Sequence, residues 1–243
     1  MIAINPIEFR LNRITKAYGK LQVLGGLSFE VKTDRIVAFL GPSGCGKTTL
    51  LSLIAGLKTP DSGEILGMEN KTLSYLFQEP RLLDWLTVAG NLSFVLKGRL
   101  SGEELTKRID YYLQHMEMLA YRNVYPRRLS GGQRQRVAMA RALAYPSRLL
   151  LMDEPFKSLD LGLKYELINR FLGLWASEPR TVLLVTHDPK EALLLADEIY
   201  VLSEKPAQIK GYHQISVPQA QRQLTDLALL QLEQEIIREL IEQ

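Results

Sequence analysis

The chain has 243 residues, 46% hydrophobic and 23% charged, which is ordinary soluble globular usage and long enough for one large or two small domains with a full core. A net charge of +3 gives no electrostatic argument for nucleic acid, and the single cysteine, Cys45, excludes an internal disulfide and fits a reducing compartment. No apolar run approaches the ~20 residues that cross a bilayer, so work at a membrane needs a second chain to supply the span.

Met1 to Pro6 has neither the basic start nor the long apolar core of a signal peptide. From Ile7 to Val31 the residues alternate, with turn signals at Tyr18-Gly19-Lys20 and Gly25-Gly26, which predicts short antiparallel strands. Tyr18 is then either a half-buried strand tyrosine or a ring placed to stack on a nucleobase. Ile36 to Leu40 is a short apolar strand, and Leu50 to Ala55 reads as a helix.

Between them lies Gly41-Pro42-Ser43-Gly44-Cys45-Gly46-Lys47-Thr48-Thr49, which fits the phosphate-cradling pattern of Gly, four residues, then Gly-Lys-Thr. The first amides of a helix lack carbonyl partners and carry partial positive charge. Glycines let the backbone curl so that successive N–H groups face inward. Lys47 is expected to neutralise β- and γ-phosphates, and the Thr48 hydroxyl to ligate Mg²⁺. The stretch predicts a nucleoside triphosphate site. Cys45 is at most alkylation-sensitive there.

Gly56 to Gly67 reads as turns, and Thr72 to Phe77 as a strand with Gln78 at its end. A helix is expected from Ser101 to Ala120, with a Ser101–Glu104 capping box and a core face of Leu105, Ile109, Tyr112, Leu113, Met116 and Leu119. Arg148 to Met152 is an apolar strand ending in Asp153-Glu154, and Thr181 to Thr186 is another ending in His187-Asp188. Open α/β sheets place their ligand crevice at the carboxyl ends of parallel strands, so the loop, the acid pair and the histidine are expected together. The tail from Thr225 to Gln243 reads as a helix with Leu227, Leu230, Ile237, Leu240 and Ile241 toward one side, packing on the chain's own surface, with the pairing of two copies as the lesser alternative.

Side chains of the adjacent Asp153 and Glu154 diverge and can divide the work. Asp153 suits the Mg²⁺ shell, directly or through water, and Glu154 suits a general base for the attacking water. His187 suits a hydrogen bond to the γ-phosphate or to that water, and Gln78 suits Mg²⁺ or water. Leu129-Ser130-Gly131-Gly132-Gln133-Arg134-Gln135-Arg136 offers a second anion site: a capping box spaced from Ser130 to Gln133, with bare glycine backbone at a helix start. One chain rarely needs two cradles for one nucleotide. A symmetric pair of chains could use the second site of each to close the nucleotide held by the other.

Leu129 to Gln133 resembles the signature of ATP-binding-cassette ATPases. The phosphate loop, Gln78, the run from Leu149 to Glu154, Ser158-Leu159-Asp160 and His187 match that family in order over most of the chain. The resemblance implies an α/β phosphate-loop NTPase core of RecA-like type with an antiparallel β subdomain. It implies a core of about 1–79 and 145–220, an inserted helical subdomain of about 80–144 and a C-terminal helix of about 225–243. It further implies ATP with Mg²⁺ sandwiched in a head-to-tail homodimer, with Tyr18 on adenine, Gln78 in a hinge loop, Ser130, Gly131, Gly132 and Gln133 on the partner's γ-phosphate, and Asp160 at the dimer contact.

Phe77-Gln78-Glu79-Pro80-Arg81-Leu82-Leu83-Asp84-Trp85-Leu86-Thr87-Val88 is similar to the nitrate/sulfonate/taurine-type importers. That likeness implies a place at the cytoplasmic face of the membrane, a permease partner meeting Leu82, Leu83 and Trp85, and a solute-binding protein in the same system. Asp84 and Lys157 depart from it: proline and a small residue, commonly glycine, are usual there, and the segment from Gly67 to Tyr75 is short. A soluble relative acting on DNA or ribosomes fits less well, because the chain has one cassette, no coiled-coil insertion and little charge; nucleic acid is not expected as a partner. A GTPase is disfavoured because Asn70-Lys71 is followed by Thr72-Leu73 and not by the guanine-reading motif.

Overall fold

The structure, a computed structural model, describes residues 6–157 and 159–241. Its strands are β1 (Ile7–Tyr18), β2 (Leu21–Lys32), β3 (Ile36–Leu40), β4 (Ser62–Leu66), β5 (Leu73–Leu76), β6 (Leu149–Asp153), β7 (Thr181–Thr186), β8 (Glu198–Leu202) and β9 (Ile209–Gln214). Its α-helices are α1 (Lys47–Ile54), α2 (Val88–Leu96), α3 (Gly102–His115), α4 (Gly131–Ala144), α5 (Leu161–Ser177), α6 (Pro189–Leu195) and α7 (Leu227–Ile241).

Two sheets form. The smaller is antiparallel, in the order β2-β1-β4, and the larger has six strands in the order β5-β6-β7-β3-β8-β9. All pairings in the larger sheet are parallel except β8 with the edge strand β9. Every residue of β3, β6, β7 and β8 is buried, as continuous apolar runs require when both faces of a parallel sheet are covered. Alternate residues of these strands serve two different cores. Ala38, Leu150, Met152 and Leu184 pack toward the helices, while Phe39, Leu149, Leu151 and Val185 pack toward α1 and the antiparallel sheet. The register sets Leu40 opposite Thr186 and Asp153 opposite Val185, so β3, β6 and β7 end level.

Several expectations need correction. Gly25 and Gly26 are not a turn. They lie inside β2, where Gly26 has φ +93° and the Gly25 N–H donates to the Ala207 carbonyl at 2.9 Å. The turn-rich segment from Gly56 to Gly67 contains the strand β4, which pairs with β1. Ser101 starts α3 but makes no capping box, since Gly102 at φ +57° turns the chain out of the geometry the box needs. That helix stops at His115, with Glu117 at φ +54° behind it, and Leu119 sits in a separate exposed 3₁₀ turn.

The face of α7 is also rotated from the expected one. Leu229 and Ile236 are buried, whereas Leu227 and Ile241 are 71% and 73% exposed. Contacts from β9 fix that rotation: the Lys210 ammonium donates to the Glu239 carbonyl at 2.5 Å, and His213 Nε2 lies 3.0 Å from the Glu239 carboxylate.

Candidate functional site

The phosphate loop runs from the end of β3 into α1. Gly44 and Gly46 have φ of +80° and +125°, and a β-carbon on Gly46 would stand 2.8 Å from the Val23 side chain. Gly46 caps α1 without any side-chain acceptor, so the first amides of the helix have no side chain competing for them. The Lys47 ammonium, in a buried residue, donates to the carbonyls of Gly41 at 2.7 Å and Pro42 at 2.9 Å. Ser43, Gly44, Gly46, Lys47, Thr48 and Thr49 border a cleft of about 320 Å³ together with Tyr18, Gln78 and Glu154. Cys45 is not accessible there. Burial pushes its thiol up and keeps it against Gly41.

The level strand ends bring the polar groups together. The Thr48 hydroxyl donates to Asp153 Oδ1 at 3.1 Å across 105 residues of sequence. Burial pushes the Asp153 carboxyl up, and the charge of Glu154 adds to that against the Thr48 hydrogen bond and Lys47. Such a carboxylate is short of positive charge. With the Thr48 hydroxyl it makes an all-oxygen donor pair, which suits a hard cation such as Mg²⁺.

Burial also pushes Glu154 up, but Lys157, His187 and Lys47 outweigh it and hold the group below the usual carboxylate range. Glu154 Oε2 is 2.8 Å from the Lys157 ammonium and 3.3 Å from His187 Nδ1. The residues that follow His187 are fixed in place. Asp188 accepts from the Lys190 N–H to start α6, and Lys164 of α5 pairs with Asp188 at 2.9 Å and Glu191 at 2.7 Å.

Ser130 to Gln133 form both halves of the capping box: the Gln133 N–H donates to Ser130 Oγ at 3.3 Å and the Ser130 N–H to Gln133 Oε1 at 2.9 Å. Gly131 and Gly132 border a separate cleft of about 540 Å³, beside Arg134 and Leu159. Neither glycine borders the phosphate cleft; Gln78 and Lys157 border both. Asp160 caps α5 by accepting from the Leu163 N–H at 2.9 Å, while the neighbouring Ser158 lies outside the described residues. Trp85 is 72% exposed, whereas Leu82 packs against the core.

Three participants were not anticipated from the sequence. Lys58 donates to the Tyr18 hydroxyl at 2.5 Å, with its ammonium 4.5 Å from the ring centre, and this bond lowers the phenol's pKa. Lys205 reaches the phosphate cleft from the β8–β9 connection. Gln135 Nε2 donates to the Pro155 carbonyl at 2.6 Å, tying α4 to the acid pair. Each depends on a chain crossing that local pattern does not encode.

A glycine-rich loop between a buried parallel strand and a helix, with acid and histidine at neighbouring strand ends, defines a phosphate-loop NTPase core. Residues 24–157 match the family described as ABC transporter. Over 232 residues the chain is 37% identical to the aliphatic sulfonates import ATP-binding protein SsuB 1 of Xanthomonas axonopodis pv. citri, covering 91% of this chain and 92% of that one. It is 40% identical over 204 residues to the sulfate/thiosulfate import ATP-binding protein CysA of Gloeobacter violaceus, covering 80% of this chain but 59% of the relative. The dimeric post-hydrolysis state of the ATP-binding cassette MJ0796, bound to ADP and Pi, superposes with a TM-score of 0.75 at 29% identity, over 86% of this chain and 100% of that one. The chain belongs to the ABC transporter family.

Proposed function

We propose that the chain is the ATP-hydrolysing subunit of a membrane importer, working as a head-to-tail pair at the cytoplasmic face. The observation that carries this is the separation of the two glycine-bearing helix starts. Gly131 and Gly132 border a different cleft from the phosphate loop of their own chain, so they serve a nucleotide only if a second copy presents one. The pair then encloses each ATP between the phosphate loop of one copy and Ser130 to Gln133 of the other, with Asp160 at the contact. Within each copy, about 80–144 forms a helical subdomain on a core of about 1–79 and 145–220.

In this reading Tyr18 carries the adenine, and the loop amides with Lys47 hold the β- and γ-phosphates. Thr48, Asp153 and Gln78 would hold Mg²⁺, which would supply positive charge beside those phosphates. Glu154 accepts a proton from water as the water oxygen bonds to the γ-phosphorus and the bond to the β-phosphate oxygen breaks, leaving ADP and phosphate. His187 keeps the water and the γ-phosphate aligned, and Gln78 carries the state of the site to the helical subdomain.

A permease meets the surface around Leu82, Leu83 and the exposed Trp85, and a solute-binding protein delivers the cargo. Small oxyanions such as sulfonates, sulfate or nitrate are the cargo class, in keeping with the names of the relatives. Partner proteins make the final choice. The test has two parts. Tagged chain purified from detergent-solubilised native membranes should bring down a multi-span protein in equal amount; recovery with nucleic acid or ribosomes alone would discard transport. Glu154→Gln should retain ATP binding, lose about 10²–10⁴-fold in turnover and accumulate a dimer. Near-normal turnover would remove Glu154 from the role of base.

A further inference from the structure

If Glu154 is the base, as the reading above holds, its carboxylate has a cation of its own chain beside it. Glu154, Pro155, Phe156 and Lys157 form a tight turn closed by the Lys157 N–H donating to the Glu154 carbonyl at 3.2 Å. The turn is fixed from both sides. Phe156 is fully buried, and the Pro155 carbonyl is held by Gln135 of α4. This geometry brings the Lys157 side chain back over its own turn, where its ammonium pairs with Glu154 Oε2 at 2.8 Å.

The two partners are unequal in freedom. The Glu154 side chain is 9% exposed and the Lys157 side chain 40%. The carboxylate is therefore held, while the ammonium sits on a flexible stem with room to move. Lys157 also stands where the phosphate cleft meets the cleft of Gly131 and Gly132. A small residue at this position, as the family pattern suggests, would leave Glu154 without this cation.

We propose that Lys157 is a positioning residue that restrains the Glu154 carboxylate at rest and is drawn off it by the γ-phosphate of a bound nucleotide when two copies close. A terminal phosphate carries more negative charge than one carboxylate, so it competes for a compact ammonium that can reach both. Lys157 thus lowers hydrolysis by a chain that has not closed on a partner. Its effect runs through Glu154, with no change in the bonds made or broken.

The test is steady-state ATP hydrolysis by the dilute, unpaired full-length chain without permease, with kcat and KM determined separately. Wild type, Lys157→Ala and Lys157→Arg are compared, each also carrying Glu154→Gln. Lys157→Ala should raise kcat about two- to fivefold, the scale of one partly exposed ion pair, with KM within about twofold of wild type. Lys157→Arg should restore the low rate, and the rise should vanish in the Glu154→Gln background. An unchanged or lowered kcat in Lys157→Ala overturns the proposal, as does a rise that survives Glu154→Gln. A raised KM at constant kcat also overturns it, since Lys157 would then be a phosphate ligand and no restraint. If Glu154→Gln alone keeps wild-type turnover, the assignment of the base has failed first and the restraint falls with it.

Discussion

The helix starts at α1 and α4 are both glycine-bearing and both suited to anions, yet they are built in opposite ways. At α1 the cap is Gly46, with no side chain to accept from the amides behind it, and Lys47 waits on loop carbonyls. At α4 the cap is Ser130, and a complete capping box satisfies the amides of Ser130 and Gln133 within the chain. The far end of α4 is secured as well. Arg180 donates to the carbonyls of Leu143 at 3.2 Å and Tyr145 at 3.0 Å, and Arg108 to that of Ala144 at 2.6 Å. On the proposed function, the start of α1 would take phosphate in a single chain. A self-satisfied helix start takes phosphate only when the phosphate out-competes its own box, which suits a site completed late, on dimer closure.

The contrast breaks most sharply at Lys47. Lys47→Ala removes the only ammonium held in the phosphate loop, and a charge-assisted hydrogen bond to phosphate is worth about 1.5–3 kcal/mol. ATP affinity of the dilute chain should fall about ten- to hundredfold by titration calorimetry. Unchanged affinity would mean that the loop is no cradle. Ser130→Ala should act differently. It removes a cap worth about 1 kcal/mol, so the unfolding midpoint drops modestly. ATP affinity of the dilute chain should stay at the wild-type value while turnover at high protein concentration falls. A drop in single-chain affinity would place Ser130 in its own chain's site and end the head-to-tail reading.

The open cradle was legible in the sequence and the closed contacts were not. Gly41 to Thr49 states its geometry locally, through glycine spacing between an apolar strand and a helix. Asp153 and His187 were placed beside it by a topological rule, because parallel strands end on one edge whatever their order. The Ser130–Gln133 box follows from residue spacing and forms; Ser101–Glu104 has the same spacing and fails, since spacing does not report the left-handed Gly102. Of the apolar face expected on α7 only Leu240 packs on the core, since Glu239 meets Lys210 and His213 of β9, a contact across the fold that spacing does not report. Lys157 stood out in the sequence as a departure from family pattern, but only the turn at Glu154 gives that departure a target.

The smallest effect tests how α4 is anchored. Glu178 gathers the groups at the C-terminal end of that helix: its carboxylate accepts from Arg108 and Arg180, each at 3.1 Å, and from the Tyr112 hydroxyl at 2.9 Å. Burial pushes Glu178 up, but these donors outweigh it and leave the group below the usual carboxylate range. A depressed folded value means that the ionised group stabilises the fold above the ordinary glutamate range. That contribution is lost as pH falls through the lowered folded value. The Glu178 side chain is 42% exposed, so solvent screening limits its worth to about 1 kcal/mol or less. Glu178→Gln should therefore lower the unfolding midpoint slightly at neutral pH, and the gap from wild type should close on acidification. A gap that stays constant with pH would show that the carboxylate's charge contributes nothing, leaving Arg180 and Arg108 to hold the end of α4 through their bonds to its carbonyls alone.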